Sequence, residues 1–237
     1  MSSDTIDTRE RLLNAAEELF AERGFDAVSV RDIAAAAGSN IAAVNYHFGG
    51  KDRLYHGVLR RALERRRERY VAAMQEAADR GDDLHAIVRA FYRTHLEDTL
   101  RTDHGRCFLK LLVREIHHGT DEGACLIQEI LLPLWRQVAG RVLAAVPDAD
   151  PDLAPWIIGS LHGQMVHFTM RWHKAHDPAS NPAMADTFRA LFPPLADDVD
   201  SYIDRAVDHI TRFSVAGILA VLDQGRPAGA QPMEPTS

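Results

Sequence analysis

At 237 residues, 46% hydrophobic and 26% charged, the chain has the composition of a soluble globular protein, long enough for one large domain or a small domain joined to a larger one. No run approaches the roughly 20 apolar residues of a membrane span. The polar, acidic start MSSDTIDTRERL lacks the basic and apolar regions of a secretory signal, so a cytoplasmic protein without a membrane partner is expected. The net charge of −7 argues against a uniformly basic nucleic-acid binder, yet residues 1–70 hold 12 Arg and Lys against 11 Asp and Glu, a net of +1, while the remainder holds 15 against 23, a net of −8.

In chain order, helical periodicity dominates and nothing reads as a strand. Thr8 is the expected cap of a first helix with Leu12, Ala16, Leu19 and Phe20 on one face, ended by Gly24. Ser29 and Asp32 form a capping-box-like start to a short second helix that turns Ile33 and Ala34 inward and stops at Gly38. Asn40 caps a third helix through His47, closed by Gly49 and Gly50, and Lys51 opens a long fourth helix reaching about Asp79. Further helices are predicted near 83–100, 104–117, 121–146, 152–175 and 198–222. Pro133 should bend the 121–146 helix by removing a ladder donor. The proline-containing segment 176–197 reads as a loop around one short helix, and the tail 226–237 as disordered.

Three short helices with glycine-containing turns match a helix-turn-helix, whose third helix enters the DNA major groove. Val44 and Phe48, four residues apart, are the natural core contacts. Asn40, Ile41, Ala43, Asn45, Tyr46 and His47 populate the other faces. Asn pairs with adenine, small apolar groups touch thymine methyls, and Tyr, His and Lys donate to phosphate. The competing reading is an ordinary amphipathic packing unit, and periodicity leaves the two open. The arginine run RRALERRRERY, Arg60 to Tyr70, fits an extension of the electrostatic footprint, but with Glu64 and Glu68 at helical spacing it reads more readily as a solvated face laced with ion pairs.

Residues 8–59 resemble the DNA-binding domain of the TetR family of bacterial transcriptional regulators. The resemblance rests on LLNAAEELFAERGFDAVSVRDIAAAAG followed by VNYHFGGKDRLY, in which Phe20, Gly24, Phe25, Ser29, Ile33, Ala34, Ala37, Gly38, Val44, His47, Phe48, Lys51 and Leu54 fall on the family pattern. It implies Tyr46, His47 and Lys51 as phosphate contacts and Ser39, Asn40, Ile41, Ala42 and Ala43 as the major-groove face. The family's usual Tyr is Asn45 here, with Tyr46 after it, which leaves open which of the two contacts phosphate.

The resemblance further implies an all-α protein: an N-terminal three-helix DNA-binding domain over 1–50, a connecting helix over 51–80, and a larger effector-binding and dimerisation domain over 81–225. It pairs the helices near 152–175 and 198–222 into a four-helix homodimer interface through Trp156, Ile157, Leu161, Ile203, Val207, Ile210, Phe213, Val215, Ile218 and Leu222, with Gly159, Gly163, Ala206, Ala216 and Gly217 permitting close approach. Residue patterns alone fit a monomer's core equally. CFLKLLVREI, LLPLW and GSLHGQMVHF also resemble the CecR-type branch of the family, which would imply a repressor of nearby transport or drug-tolerance genes. The implied partners are a double-stranded DNA operator and a small-molecule effector. Candidate effector contacts are polar or aromatic groups on apolar helices: His95, Arg106, Phe108, Arg114, Trp135, His162, Gln164, His167 and Trp172, with Gln164 and His167 the leading pair. Taken singly, each also fits as a satisfied core or surface residue.

No HEXXH, nucleophile elbow, P-loop or dinucleotide turn is present, so no enzyme, metal or cofactor is expected. Cys107 and Cys125 read as two buried small hydrophobes. The rival to a DNA-binding regulator is a helical protein-interaction module, separable by the salt dependence of binding.

Overall fold

The computed structural model describes residues 3–81, 83–146, 149–176, 182–191 and 198–224. Among them the secondary structure is helical, without strands, as the periodicity predicts. The elements are α1 (Ser3–Arg23), α2 (Val30–Ala36), α3 (Ile41–Phe48), α4 (Lys51–Asp79), α5 (Leu84–Arg101), α6 (Asp103–His118) and α7 (Asp121–Ala144). A 3₁₀ turn at Pro151–Leu153 then leads into α8 (Ala154–His176), followed by α9 (Pro182–Leu191) and α10 (Val199–Gln224). The tail beyond 224 lies outside the described residues.

One start differs from expectation. Helix α1 begins at Ser3, so Thr8 lies inside it rather than capping it, and the Thr8 hydroxyl accepts from Arg11 at 3.2 Å. No Pro or Gly interrupts residues 3–8, and the helix simply continues through them. Helix α7 runs without a break through Pro133.

The chain divides into two compact units. The first comprises Met1–Val71 with Glu97–Leu134, the second Ala72–Leu96 with Trp135–Ser237, and α4, α5 and α7 each contribute to both. In the first, Leu12, Ala16 and Phe20 of α1 pack with Ile33, Val44, Phe48, Leu54 and Val58, and with Cys107, Phe108 and Leu111 of α6. In the second, Phe91, Tyr92 and Leu96 are buried, as are Ile157, Leu161, Met165 and Phe168 of α8 and Tyr202, Ile203, Val207 and Ile210 of α10. There the Tyr92 hydroxyl shares a hydrogen bond with Ser214 at 2.7 Å, and the Tyr202 hydroxyl donates to the Phe168 carbonyl at 2.8 Å.

The arginine run is only in part a solvated face: Arg67, Glu68 and Arg69 are exposed, but other members of the run pair across to neighbouring helices. Arg60 reaches Glu64 only at 3.9 Å and pairs more closely with Glu129 at 3.2 Å. Arg61 and Arg65 both reach Glu17 of α1 at 2.6 Å, Arg66 is buried against Asp98 at 2.8 Å, and Arg69 meets the other Asp98 oxygen at 2.8 Å. The run therefore binds α4 to α1, α5 and α7 within the first unit. Spacing along one helix exposes its own carboxylates but not those that folding brings to it.

One of the two cysteines, Cys125, also parts from expectation. Cys107 is buried, and its thiol donates to the Glu17 carbonyl at 3.4 Å. Burial, reinforced by the Glu17 carboxylate, pushes its pKa up to about 12. Cys125 is exposed. No helix among the described residues is long and apolar enough to cross a membrane.

Candidate nucleic-acid interface

The site is assembled by its caps. Ser29 and Asp32 satisfy each other's backbone reciprocally: Ser29 N–H donates to the Asp32 carboxylate at 2.9 Å, and Asp32 N–H donates to Ser29 Oγ at 3.2 Å. The Ser29 hydroxyl, donating to the Asp32 carboxylate at 2.6 Å, and the Ser29 N–H together hold the Asp32 carboxyl below its ordinary range. Gly38, at φ +59°, turns the chain from α2 into α3 in a conformation that a side chain disfavours. Asn40 then caps α3 by accepting the Ala43 N–H at 2.9 Å, and Gly49 closes it in the left-handed region, at φ +75°.

Helical geometry sets the faces of α3. Val44 and Phe48 are buried, as expected, and the side opposite carries Ala42 and Tyr46. Tyr46 is 80% exposed, Asn45 and Ile41 are exposed on one flank, and Ala43 and His47 are half-buried on the other. Ser39 is half-buried in the preceding turn and Asn40 exposed beside it. The cap engages the Asn40 amide oxygen, whereas Asn45 has no side-chain partner among the described residues, so Asn45 presents the freer amide.

Lys51, half-buried at the start of α4, places its ammonium 4.1 Å from the centroid of Phe25. A cation held against a ring beside a helix N-terminus is suited to a phosphate. Two more cations escaped the sequence reading. The Arg9 guanidinium lies 5.3 Å from the Phe48 ring centre, and Arg53 sits so near Gly49 that a Cβ there would lie 3.1 Å from it. Arg53 follows Gly49 by one helical turn and was legible in that spacing. Arg9 is 39 residues from Phe48, and no local signal marks it.

The family model of the bacterial regulatory proteins of the tetR family matches residues 12–58, the segment that builds these helices. Over this segment the chain is similar to the TetR family of regulators. It is 33% identical over 85 residues to the HTH-type transcriptional regulator BetI of Rhizobium meliloti, covering 36% of this chain and 42% of that protein. It is 37% identical over 84 residues to the HTH-type transcriptional repressor KstR2 of Rhodococcus jostii, covering 35% and 41%. The chain thus spans about two-fifths of the length of these curated relatives. A crystal structure of a transcriptional regulator from Rhodococcus sp. RHA1 superposes with a TM-score of 0.60 at 21% identity, over 88% of this chain and 96% of that one. The shared fold therefore extends well beyond the matched segment.

The effector candidates divide between the units. In the second, Trp135 lies edge-on to His162 at 5.4 Å and to Phe91 at 5.5 Å, and buried His95 meets Thr169 at 2.8 Å. Trp172 stacks on His176 at 3.8 Å and contacts Tyr202. Gln164 is half-buried and His167 exposed. In the first unit, Phe108 is buried beneath the Arg66 guanidinium. Arg106 is tied to Asp103 and the Leu100 carbonyl, and Arg114 lies against Phe25 and Tyr55. Arg106 lines an open polar cleft of about 950 Å³ with Glu17, Arg65, His104 and Lys110.

Proposed function

We propose that the protein is a ligand-responsive transcriptional regulator, a repressor that binds a palindromic operator as a homodimer and is released by a small-molecule effector. The carrying observation is the exposed face of α3, where Ala42 and Tyr46 stand opposite the buried Val44 and Phe48 and Asn45 is exposed on the flank, with Lys51 at the start of α4. On this reading Ser39 to Ala43 and Asn45 meet base edges while Tyr46, His47 and Lys51 hold phosphates. The relatives named as regulators and repressors support it.

The homodimer is supported by an apolar surface on the second unit. Trp156 is 76% exposed and Phe213 63% exposed, with Met170 and Leu219 also exposed and Gly159, Gly163, Ala216 and Gly217 beside them. Large apolar side chains left open among small ones suit a second copy of the chain. Of the other residues assigned to the interface, Ile157, Leu161, Ile203, Val207 and Ile210 are buried within the chain itself. Effector contacts are assigned to the Trp135 and His162 neighbourhood of the second unit. An effector that binds one dimer conformation better than the other shifts the population away from the DNA-competent state by its differential affinity.

The test is a gel-shift titration against DNA upstream of the coding region at two salt concentrations. Sequence-selective binding that weakens steeply with salt is expected. Binding that ignores salt, or no binding at low salt, favours the protein-interaction module instead.

A further inference from the structure

Beside the end of α1, the first unit holds a second cleft, of about 350 Å³. Phe20, Phe25 and Leu111 give it apolar walls, while Tyr55, Lys110 and Arg114 bring hydrogen-bond donors to it. Tyr55 is 1% exposed, and its hydroxyl has no hydrogen-bond partner among the described residues, with the charged Arg114 and Glu115 beside it. Burial raises the Tyr55 pKa well above the ordinary phenol value, so the group stays a neutral donor. A buried hydroxyl left unpaired is costly, and such groups mark places where a ligand completes the bonding.

Arg114 is held in place for the same task. Its guanidinium carbon lies 4.2 Å from the Phe25 ring centre and 4.6 Å from that of Tyr55, and Nη1 reaches Glu115 at 3.1 Å. The rest of its fork has no protein partner among the described residues. Lys110 spends one donor on the Ala21 carbonyl at 2.8 Å and keeps two. Arg23, Lys110 and Arg114 stand against Glu22 on the rim and Glu115 behind Arg114, which leaves one positive charge to neutralise.

We propose that this cleft binds a small organic monocarboxylate with an apolar body, its carboxylate held by Arg114, Lys110 and the Tyr55 hydroxyl. The site is separate from the effector region assigned above to the second unit. It has a route to the DNA face, because Phe25 carries two cations: Arg114 at 4.2 Å and Lys51 at 4.1 Å. An anion on Arg114 alters one side of that shared arrangement. This regulatory consequence rests on the DNA-binding reading; the binding itself does not.

The test is calorimetric titration of the whole protein with benzoate, and with acetate and benzamide as probes lacking the apolar body and the charge. Benzoate is expected to bind at least about tenfold more tightly than either. Tyr55→Phe should weaken benzoate about tenfold without lowering the thermal midpoint, since it removes an unpaired hydroxyl, and Arg114→Gln should abolish binding. Benzoate failing to bind at about 10 mM, or binding both variants as well as the parent, overturns the proposal. A gel shift that ignores benzoate while calorimetry shows binding overturns the regulatory coupling and leaves the site standing.

Discussion

Replacing Glu17 with glutamine removes one negative charge from the centre of the first unit and little else. Its carboxylate is 3% exposed and accepts from Arg61 and Arg65 at 2.6 Å and from His104 at 2.8 Å. Breaking a fully buried pair costs about 3–5 kcal/mol. Here Arg61 and Arg65 keep 18% and 32% of their side-chain exposure, and Arg61 retains Asn14 at 2.8 Å, so both cations partly rehydrate. The expected loss is therefore roughly 2–3 kcal/mol, or about 5–10 °C in thermal midpoint for a chain of this size. Acidity provides the second readout. Burial alone would raise the Glu17 pKa, but the hydrogen bond and charge of Arg65, with His104 and Arg61, outweigh it and hold the carboxyl below its ordinary value. A lowered folded pKa means the contribution is present above the unfolded value of about 4.3 and fades as pH falls through the folded one. Urea titrations of parent and variant at pH 7 and at acid pH should show a gap that closes on acidification. A gap below about 0.5 kcal/mol at neutral pH, or one that persists unchanged in acid, refutes the reasoning.

Ser29→Ala should cost about 1 kcal/mol of unfolding free energy by urea titration, because one member of the reciprocal cap is lost. Tyr46→Phe should leave the thermal midpoint unmoved, the ring being so exposed, while weakening operator binding about tenfold in a gel shift through one lost donor per protomer. Lys51→Met should lower the slope of log affinity against log salt by about 1.8 for a dimer, at about 0.9 for each phosphate contact. Phe213→Asp should yield a folded monomer by analytical ultracentrifugation, with helicity retained.

The sequence is most informative where interactions are local. Ser29, Asn40 and Gly49 act within four residues of themselves, so the bounds of α2 and α3 can be read directly from their neighbours. The same locality makes Val44 and Phe48 legible as the inward pair and Tyr46 as the outward residue. The start of α1 is less legible, because Thr8 is a good cap that the chain does not use. The arginine run shows the larger limit. Glu64 and Glu68 are visible by spacing, but Glu17, Asp98 and Glu129 become partners only once α1, α5 and α7 have packed. Arg9 beside Phe48 belongs to the same class. Among the effector candidates, the meeting of Trp135 with His162 depends on tertiary structure that no single helical pattern contains.

The contrast between the two cysteines has a practical side. Cys107 is buried, with a thiol that stays protonated at neutral pH, whereas Cys125 stands exposed on α7. Thiolate is the species that reacts with maleimides and methanethiosulfonates. The native chain is thus its own single-site labelling reagent, taking one dye or spin probe per protomer without mutagenesis. In a homodimer the two probes form a symmetry-related pair, and the distance between them reports directly on how operator or effector changes the assembly.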